Sequence, residues 1–247
     1  MTVIVTNPHC GLRLTDSVRR NMKAEFDGLS RDKLVLDQSD LGADYIYDVP
    51  GMDGITELRG DYSRLVVDLN RPLSQAFPLN DLDGRNLYPD EFRITPDDFL
   101  ERRSIWDSYH SNIKQTAKSD EESIIIDAHT MKDRHGRPDI CIGTGGGHSC
   151  NSDFTVYLFS NIYHLFKNLN GKDSLAIATN IPYRDGFITK KYCDRLKKQG
   201  VSLEINRSLL SDRGVLNNEK MKDINYRFRQ LAQRVAEYSP RSNFYLL

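Results

Sequence analysis

Short β-branched and aliphatic runs recur along this chain at intervals that leave room for a helix, and that rhythm constrains the fold more than any other feature. TVIVT (2–6), SRLVVDL (63–69), SIIIDAH (123–129), SLAIAT (174–179) and VSLEIN (201–206) each read as a buried strand. Helix-start signals fall between them. Thr15 and Asp16 cap a helix predicted to run to about Phe26, and Thr95-Pro96-Asp97-Asp98 starts one running to about Lys118. Ser152 and Asp153 begin an amphipathic helix ending near Asn168, residues 189–199 form another, and Asn217 caps a last one to about Tyr238. Pro72 to Pro89 is polar and rich in turn residues, and reads as an excursion over the surface. Strands alternating with helices imply an α/β fold of three layers, with a mostly parallel or mixed sheet covered by helices on both faces. No repeat or linker divides the chain, so residues 1–247 are expected to form a single domain.

Composition narrows the function classes. The 34 basic and 35 acidic residues nearly cancel, so there is no general attraction to nucleic acid or to an anionic membrane, and any cationic site must be local. No apolar run approaches the roughly 20 residues needed to span a bilayer. The opening MTVIVTNPHCG has no basic segment or long apolar stretch of the signal-peptide kind. Cys10, Cys141, Cys150 and Cys193 form no CxxC pair and are expected to be reduced thiols of a cytoplasmic protein.

Function in such sheets collects where loops converge at the carboxyl ends of strands. The chain places its least common residues there: Asn7-Pro8-His9-Cys10-Gly11 after the first strand, Asn70-Arg71 after SRLVVDL, and Asp127 and His129 in the SIIID strand. Two histidines from separate strand ends, with one carboxylate, can hold a metal and leave a fourth position for water. Glu204 stands out within SLEIN, because Val201, Leu203 and Ile205 alternate onto the opposite face. A carboxylate on a helix-covered face needs a partner or a task. GTGGGH (143–148) lacks the GK[ST] ending of a phosphate loop and reads as a loop near the pocket. His164 is expected to pack within its helix, His110 to be a core histidine or to stand behind the site, and His135 and His148 to be spare candidates for metal ligation. Lys190, Lys191, Arg195, Lys197 and Lys198 read as the solvated face of a helix.

Taken in order, these segments resemble the N-formylglutamate amidohydrolase family, a branch similar to the zinc carboxypeptidase and aspartoacylase group. NPHCGLRLT resembles its PHxG segment, and DQSDLGADYIYDV its D-x-D-rich segment with Asp40 at the acid. YSRLVVDLNRP is similar to the SR-[YF]-V-x-D-L-N-R-P motif, which covers Arg64, Asp68, Asn70 and Arg71. LYP (87–89), IWDSYH (105–110), IIIDAHT, CIGTGGGHSC, NIPYRDGFITKKY and SLEINRSLL resemble further segments in the family's order, and together they span residue 7 to about 210. Asp185, Ser202 and Leu209-Leu210 depart from the family pattern, at positions nearer the substrate than the metal.

The resemblance implies a zinc carboxypeptidase-like fold and a Zn2+ ion held by His9, His129 and Asp40. The close-spaced carboxylate of aspartoacylases would fall at Leu12, which cannot ligate. It also implies Glu204 as general base, Arg64 as oxyanion stabiliser, and Asn70, Arg71 and Arg184 as anchors for substrate carboxylate. The activity implied is hydrolysis of a small acidic N-acyl amino acid, with N-formyl-L-glutamate the first choice. An N-acyl-aspartate or N-succinyl amino acid deacylase, a small carboxypeptidase, and an inactive protein that binds an acidic ligand stay open. The sequence does not fix the oligomeric state.

Overall fold

The computed structural model describes residues 1–171 and 174–239. In chain order its strands are β1 (Val3–Asn7), β2 (Glu25–Phe26), β3 (Leu29–Ser30), β4 (Ile55–Arg59), β5 (Ile124–Met131), β6 (Ile140–Gly143), β7 (Ile177–Thr179), β8 (Gln199–Asn206), β9 (Ser211–Asp212) and β10 (Val215–Leu216). The α-helices are α1 (Asp16–Asn21), α2 (Arg31–Gln38), α3 (Ala43–Ile46), α4 (Pro96–Ser119), α5 (Ser152–Phe166), α6 (Phe187–Leu196) and α7 (Asn218–Ala236). Six strands form one sheet in the order β4-β1-β5-β8-β6-β7, while β2-β3 and β9-β10 are small ribbons. Strands β4, β1, β5 and β8 are parallel; β6 runs against β8, and β7 follows β6. The expected mixed, mostly parallel sheet is therefore present.

The period-2 alternation of the strands divides the core. Val3, Val5, Ile124, Ile126, Val201, Leu203 and Ile205 pack on one face against α3, α5 and α7, through side chains such as Phe154, Ile224 and Phe228. Ile4 and Ile125 face the other way, against Val18, Leu34, Ile113 and Ile188 from α1, α2, α4 and α6. This second face changes character along the strands. Ile4 is followed by Thr6, Ile125 by Asp127 and His129, and Gly200 by Ser202 and Glu204. Core gives way to polar groups at the carboxyl edge of three adjacent parallel strands.

Several sequence expectations are corrected. SRLVVDL is not a strand: the amides of Val66 and Val67 both donate to the Ser63 carbonyl (2.8 and 3.2 Å), and Asp68 N donates to Ala76 O (2.7 Å). Leu65, Val66, Val67 and Leu69 are all buried, so the run is apolar because it is enclosed on every side, not because it lies in the sheet. The edge strand is instead β4, a half-buried ITELR. Helix α1 has its predicted Thr15 cap but stops at Asn21, because the chain turns extended at Met22 and enters the β2-β3 ribbon. Strand β6 and helices α2 and α3 were not anticipated; each is short, and none carries a strong period. Asn217 caps α7 by accepting from Glu219 N (2.9 Å) and Lys220 N (3.1 Å), as expected.

Candidate active site

His9, just beyond the end of β1, and His129, near the end of β5, are brought together with Asp40, which lies in the turn between α2 and α3. One donor atom from each lies within 4.8 Å of the others, and all three residues are buried. The backbone fixes this meeting. Asp40 N donates to His9 O (3.0 Å), joining the two loops. On the opposite side of the sheet the Tyr47 hydroxyl donates to His129 O at 2.7 Å, holding the strand that carries the second imidazole.

The two rings are oriented alike. His129 Nδ1 lies 2.7 Å from Asp40 Oδ2, and His9 Nδ1 lies 3.6 Å from the same oxygen. The far nitrogens meet separate carboxylates: His9 Nε2 is 2.7 Å from Asp68 Oδ1, and His129 Nε2 is 3.1 Å from Asp127 Oδ2. A carboxylate on the outer nitrogen sets the tautomer and leaves the inner nitrogen as a lone-pair donor, the arrangement that supports metal ligation. His9 Nδ1 is buried and has no hydrogen-bond partner. Such an orphaned nitrogen costs free energy unless something occupies the space it faces. Tetrahedral ligands at about 2.0–2.1 Å from zinc lie roughly 3.4 Å apart; the donor set fits a divalent cation and so does the 3.6 Å between His9 and Asp40, while the 2.7 Å between His129 and Asp40 is a hydrogen bond that a bound cation would replace.

Electrostatics agree. Burial works against a charge on His129, yet Asp127 and Asp40 outweigh it and hold its pKa well above the ordinary histidine value. Burial likewise opposes ionisation of Asp40 and Asp68, but His129 and His9 hold the first, and Arg64 and His9 the second, below the ordinary carboxylate range. The site is thus a negative centre that favours a cation. Glu204 differs. It neighbours His129 across the β5-β8 register, and its carboxylate makes no hydrogen bond or ion pair with a described residue. Burial raises its pKa to about 7, with Asp40 and Asp127 adding to the rise and His129 opposing it. The Cys10 thiol is pushed up to about 12 by burial, which removes its thiolate as a nucleophile at neutral pH.

These groups open onto a cavity of about 1010 Å³, lined among others by His9, Asp40, Arg64, Arg71, His129 and Glu204. Arg64 Nη2 donates to Asp68 Oδ2 (2.7 Å), so Arg64, Asp68 and His9 form one chain of contacts. Arg71 is half exposed, with Nε 3.9 Å from Asp68. Asn70 also lines the cavity, but its amide is already committed: Nδ2 donates to Asp127 (2.9 Å) and Oδ1 accepts from Ile188 N (2.9 Å). In this position Asn70 bridges β5 and α6 at the cavity wall. Arg184, expected as a carboxylate anchor, is exposed, lies outside the cavity wall between the lining residues Tyr183 and Asp185, and donates to Gly145 O (3.3 Å). His164, expected to pack, is exposed on α5, and His135 and His148 are exposed and outside the cavity lining. His110 is buried, with Nε2 3.1 Å from Leu69 O, and burial brings its pKa down to about 3. Of the cluster read as solvated, Lys190, Lys191 and Arg195 line the cavity. The sequence reading missed Asp68 and Asp127 as partners of the histidines. It also missed Arg137, Tyr183 and Arg207 in the cavity wall; no local signal marks them, since their roles arise from distant contacts.

A model of the N-formylglutamate amidohydrolase family matches residues 1–211. The chain belongs to this family. Among curated proteins it is 26% identical over 232 residues to N-formylglutamate deformylase of Pseudomonas putida, covering 84% of this chain and 81% of that protein. The N-formylglutamate deformylase of Pseudomonas aeruginosa is 29% identical over 170 residues, 60% of this chain and 61% of the relative. The solved structure of N-formylglutamate amidohydrolase from Ralstonia eutropha JMP134 has the same fold, with a TM-score of 0.76 at 16% identity over 96% of this chain and 93% of that one. The chain is accordingly a hydrolase of linear amides, and among the described residues no helix is long and apolar enough to cross a membrane.

Proposed function

We propose that this member of the family hydrolyses N-formyl-L-glutamate to formate and L-glutamate with Zn2+ held by His9, Asp40 and His129, the whole chain acting as one catalytic domain in the cytoplasm. The observation that carries the reading is the convergence of three buried donors, one of them the orphaned His9 Nδ1, beside a partnerless buried carboxylate. The curated relatives named for formylglutamate support the substrate. Four free cysteines support a reducing compartment.

When bound, the ion polarises the scissile carbonyl and lowers the pKa of water to about 7. Asp68 and Asp127 hold the outer nitrogens of His9 and His129, so both rings present the inner nitrogen to the ion. Asn70 keeps Asp127 in place from the α6 side. Glu204 takes the proton of the attacking water and returns it to the leaving nitrogen; a pKa near 7 suits a group that must do both. Arg64, fixed by Asp68, faces the charge that develops on the carbonyl oxygen, and Arg71 at the rim receives a carboxylate.

The test is formate release from N-formyl-L-glutamate by protein of measured metal content, before and after chelation. Activity should disappear on chelation and return with zinc. A metal-replete, folded protein that releases no formate ends the substrate reading. Undiminished activity after complete metal removal ends the metal reading.

A further inference from the structure

Four cations in the cavity wall follow the strands that carry His129 and Glu204: Lys132, Arg134 and Arg137 after β5, and Arg207 after β8. They are not equivalent. Lys132 Nζ is paired with Asp37 at 2.7 Å and Arg134 Nη2 with Asp83 at 3.3 Å. Arg207 and Arg137 have no carboxylate partner among the described residues. Their contacts are to neutral groups. Arg207 donates from Nη2 to Ser39 O and from Nε to Thr130 Oγ1 (3.4 Å). Arg137 donates to Lys132 O (3.0 Å), and its guanidinium lies 5.3 Å from the Tyr183 ring centre.

The anchors of Arg207 fix it relative to the donors. Ser39 precedes Asp40 and Thr130 follows His129, so the guanidinium is tied one residue away from two of the three members. It also lies three residues after Glu204, at the carboxyl end of β8. Burial lowers its pKa, although Asp40, Asp37 and Glu204 pull the other way. A partly buried guanidinium with neutral partners only, mounted rigidly beside a negative centre, is complete when an anion occupies the cavity. On the β1 side, Arg71 offers a separate cation at the rim. The cavity that holds the donor cluster thus offers separate cations from different parts of the chain, Arg207 after β8 and Arg71 three residues after Asp68, besides Lys190, Lys191 and Arg195 of α6, which fits a ligand carrying two carboxylates.

We propose that Arg207, helped by Arg137 in the same cavity wall, receives the side-chain carboxylate of the acidic N-acyl amino acid and sets the enzyme's preference for it. This rests on the hydrolytic reading above. Arg71 is left for the α-carboxylate, which every N-acyl amino acid possesses. A fixed cation is costly to leave unpaired under a closed ligand, so Arg207 rejects a neutral side chain. Arg can meet a carboxylate in a bidentate manner, which an amide does not reproduce.

The experiment measures kcat/KM for N-formyl-L-glutamate and N-formyl-L-glutamine with the wild type, Arg207→Ala, Arg207→Lys and Arg137→Ala. Wild type should favour the glutamate compound, and Arg207→Ala should lower that preference on the order of 10²–10³-fold by losing far more on glutamate than on glutamine. Arg207→Lys should keep part of the preference, and Arg137→Ala should reduce it by less. Equal losses on both compounds in Arg207→Ala would show Arg207 to be only a tie between the Asp40 and His129 segments, and would overturn the proposal. The same variants are also measured on the α-amide of N-formyl-L-glutamate, and a loss of discrimination against that compound instead of the side-chain amide would likewise overturn the proposal. If Arg207→Ala does not fold, Arg137→Ala decides, since Arg137 touches neither donor segment; an unchanged preference there overturns the proposal. Wild type inactive on both compounds would sink the hydrolytic reading itself, whereas an active wild type with an unaltered preference in the variants sinks only the role of the arginines.

Discussion

Asp68, behind His9, and Glu204, in the cavity wall, are both buried carboxylates, yet their surroundings oppose each other. Asp68 lies between Arg64 (2.7 Å) and His9 (2.7 Å) and stays ionised. Glu204 has no such partner, and burial raises its pKa to about 7. The first is suited to holding a ring in place and the second to moving a proton. Asp68→Asn keeps the shape but removes the charge that sets the His9 tautomer. It should weaken zinc binding about 10–100-fold, read by competition with a chromogenic chelator; unchanged affinity in a folded variant would remove Asp68 from the support of His9. Glu204→Gln should leave zinc content intact and lower kcat by about 10²–10⁴-fold with KM little changed. A zinc-loaded, nearly fully active Glu204→Gln enzyme would take Glu204 out of the mechanism. His9, His129 and Glu204 were legible in the sequence because each interrupts an apolar pattern at a strand end. The Asp68 contact joins positions 59 residues apart, so only the folded chain displays it.

Elements, in turn, place the residues. Trp106 and His110, one turn apart on α4, reach the carbonyls of Arg71 and Leu69 (3.0 and 3.1 Å), so the helix pins the backbone on either side of Asn70. Trp106→Phe keeps most of the packing and deletes one donor. It should cost about 1 kcal/mol of stability, and it should raise KM through looser placement of Arg71; an unchanged KM would show that the pin is only structural. Asn217→Ala provides a contrast, since this cap lies away from the cavity. Loss of its two accepted bonds should cost about 1 kcal/mol, seen as a Tm lower by about 2–4 °C, with kcat/KM untouched. Elements with a strong local code were readable: β1, β5, β8 and the capped helices α4 and α7. SRLVVDL was misread because enclosure by loops yields the same apolar run as a central strand. Strand β6 escaped because four residues are too few to establish a period, and its pairing with β8 is set by the tertiary fold.

At the scale of the whole molecule, metal and protons should compete for the same negative centre, and stability should report it. Glu204 has a folded pKa of about 7 against an ordinary 4.5, so between those values the native state retains a proton that the unfolded chain has released. Stability from this group is present below pH 4.5 and lost as pH rises toward 7, with an upper limit of about 3 kcal/mol. His129 acts in the same direction. Its folded pKa is raised, so its contribution is full below the unfolded value of 6.5 and is lost as pH rises through the folded one. Asp40 and Asp68, with depressed values, contribute above about pH 3.8 and lose that contribution only in acid. The metal-free protein should therefore be most stable in mildly acidic solution and weaken toward pH 8. Zinc requires the His129 nitrogen that the proton holds, and its charge favours ionised Glu204, so binding releases protons and is favoured by higher pH. The increase in Tm on adding zinc should consequently be larger at pH 8 than at pH 5.5. Glu204→Gln carries no titrating group at that position, so its metal-free Tm should fall less between those two pH values than that of the wild type. A zinc-induced increase that is equal at both pH values, or larger at 5.5, would mean that the ion does not displace the His129 proton and would place the metal elsewhere than this triad.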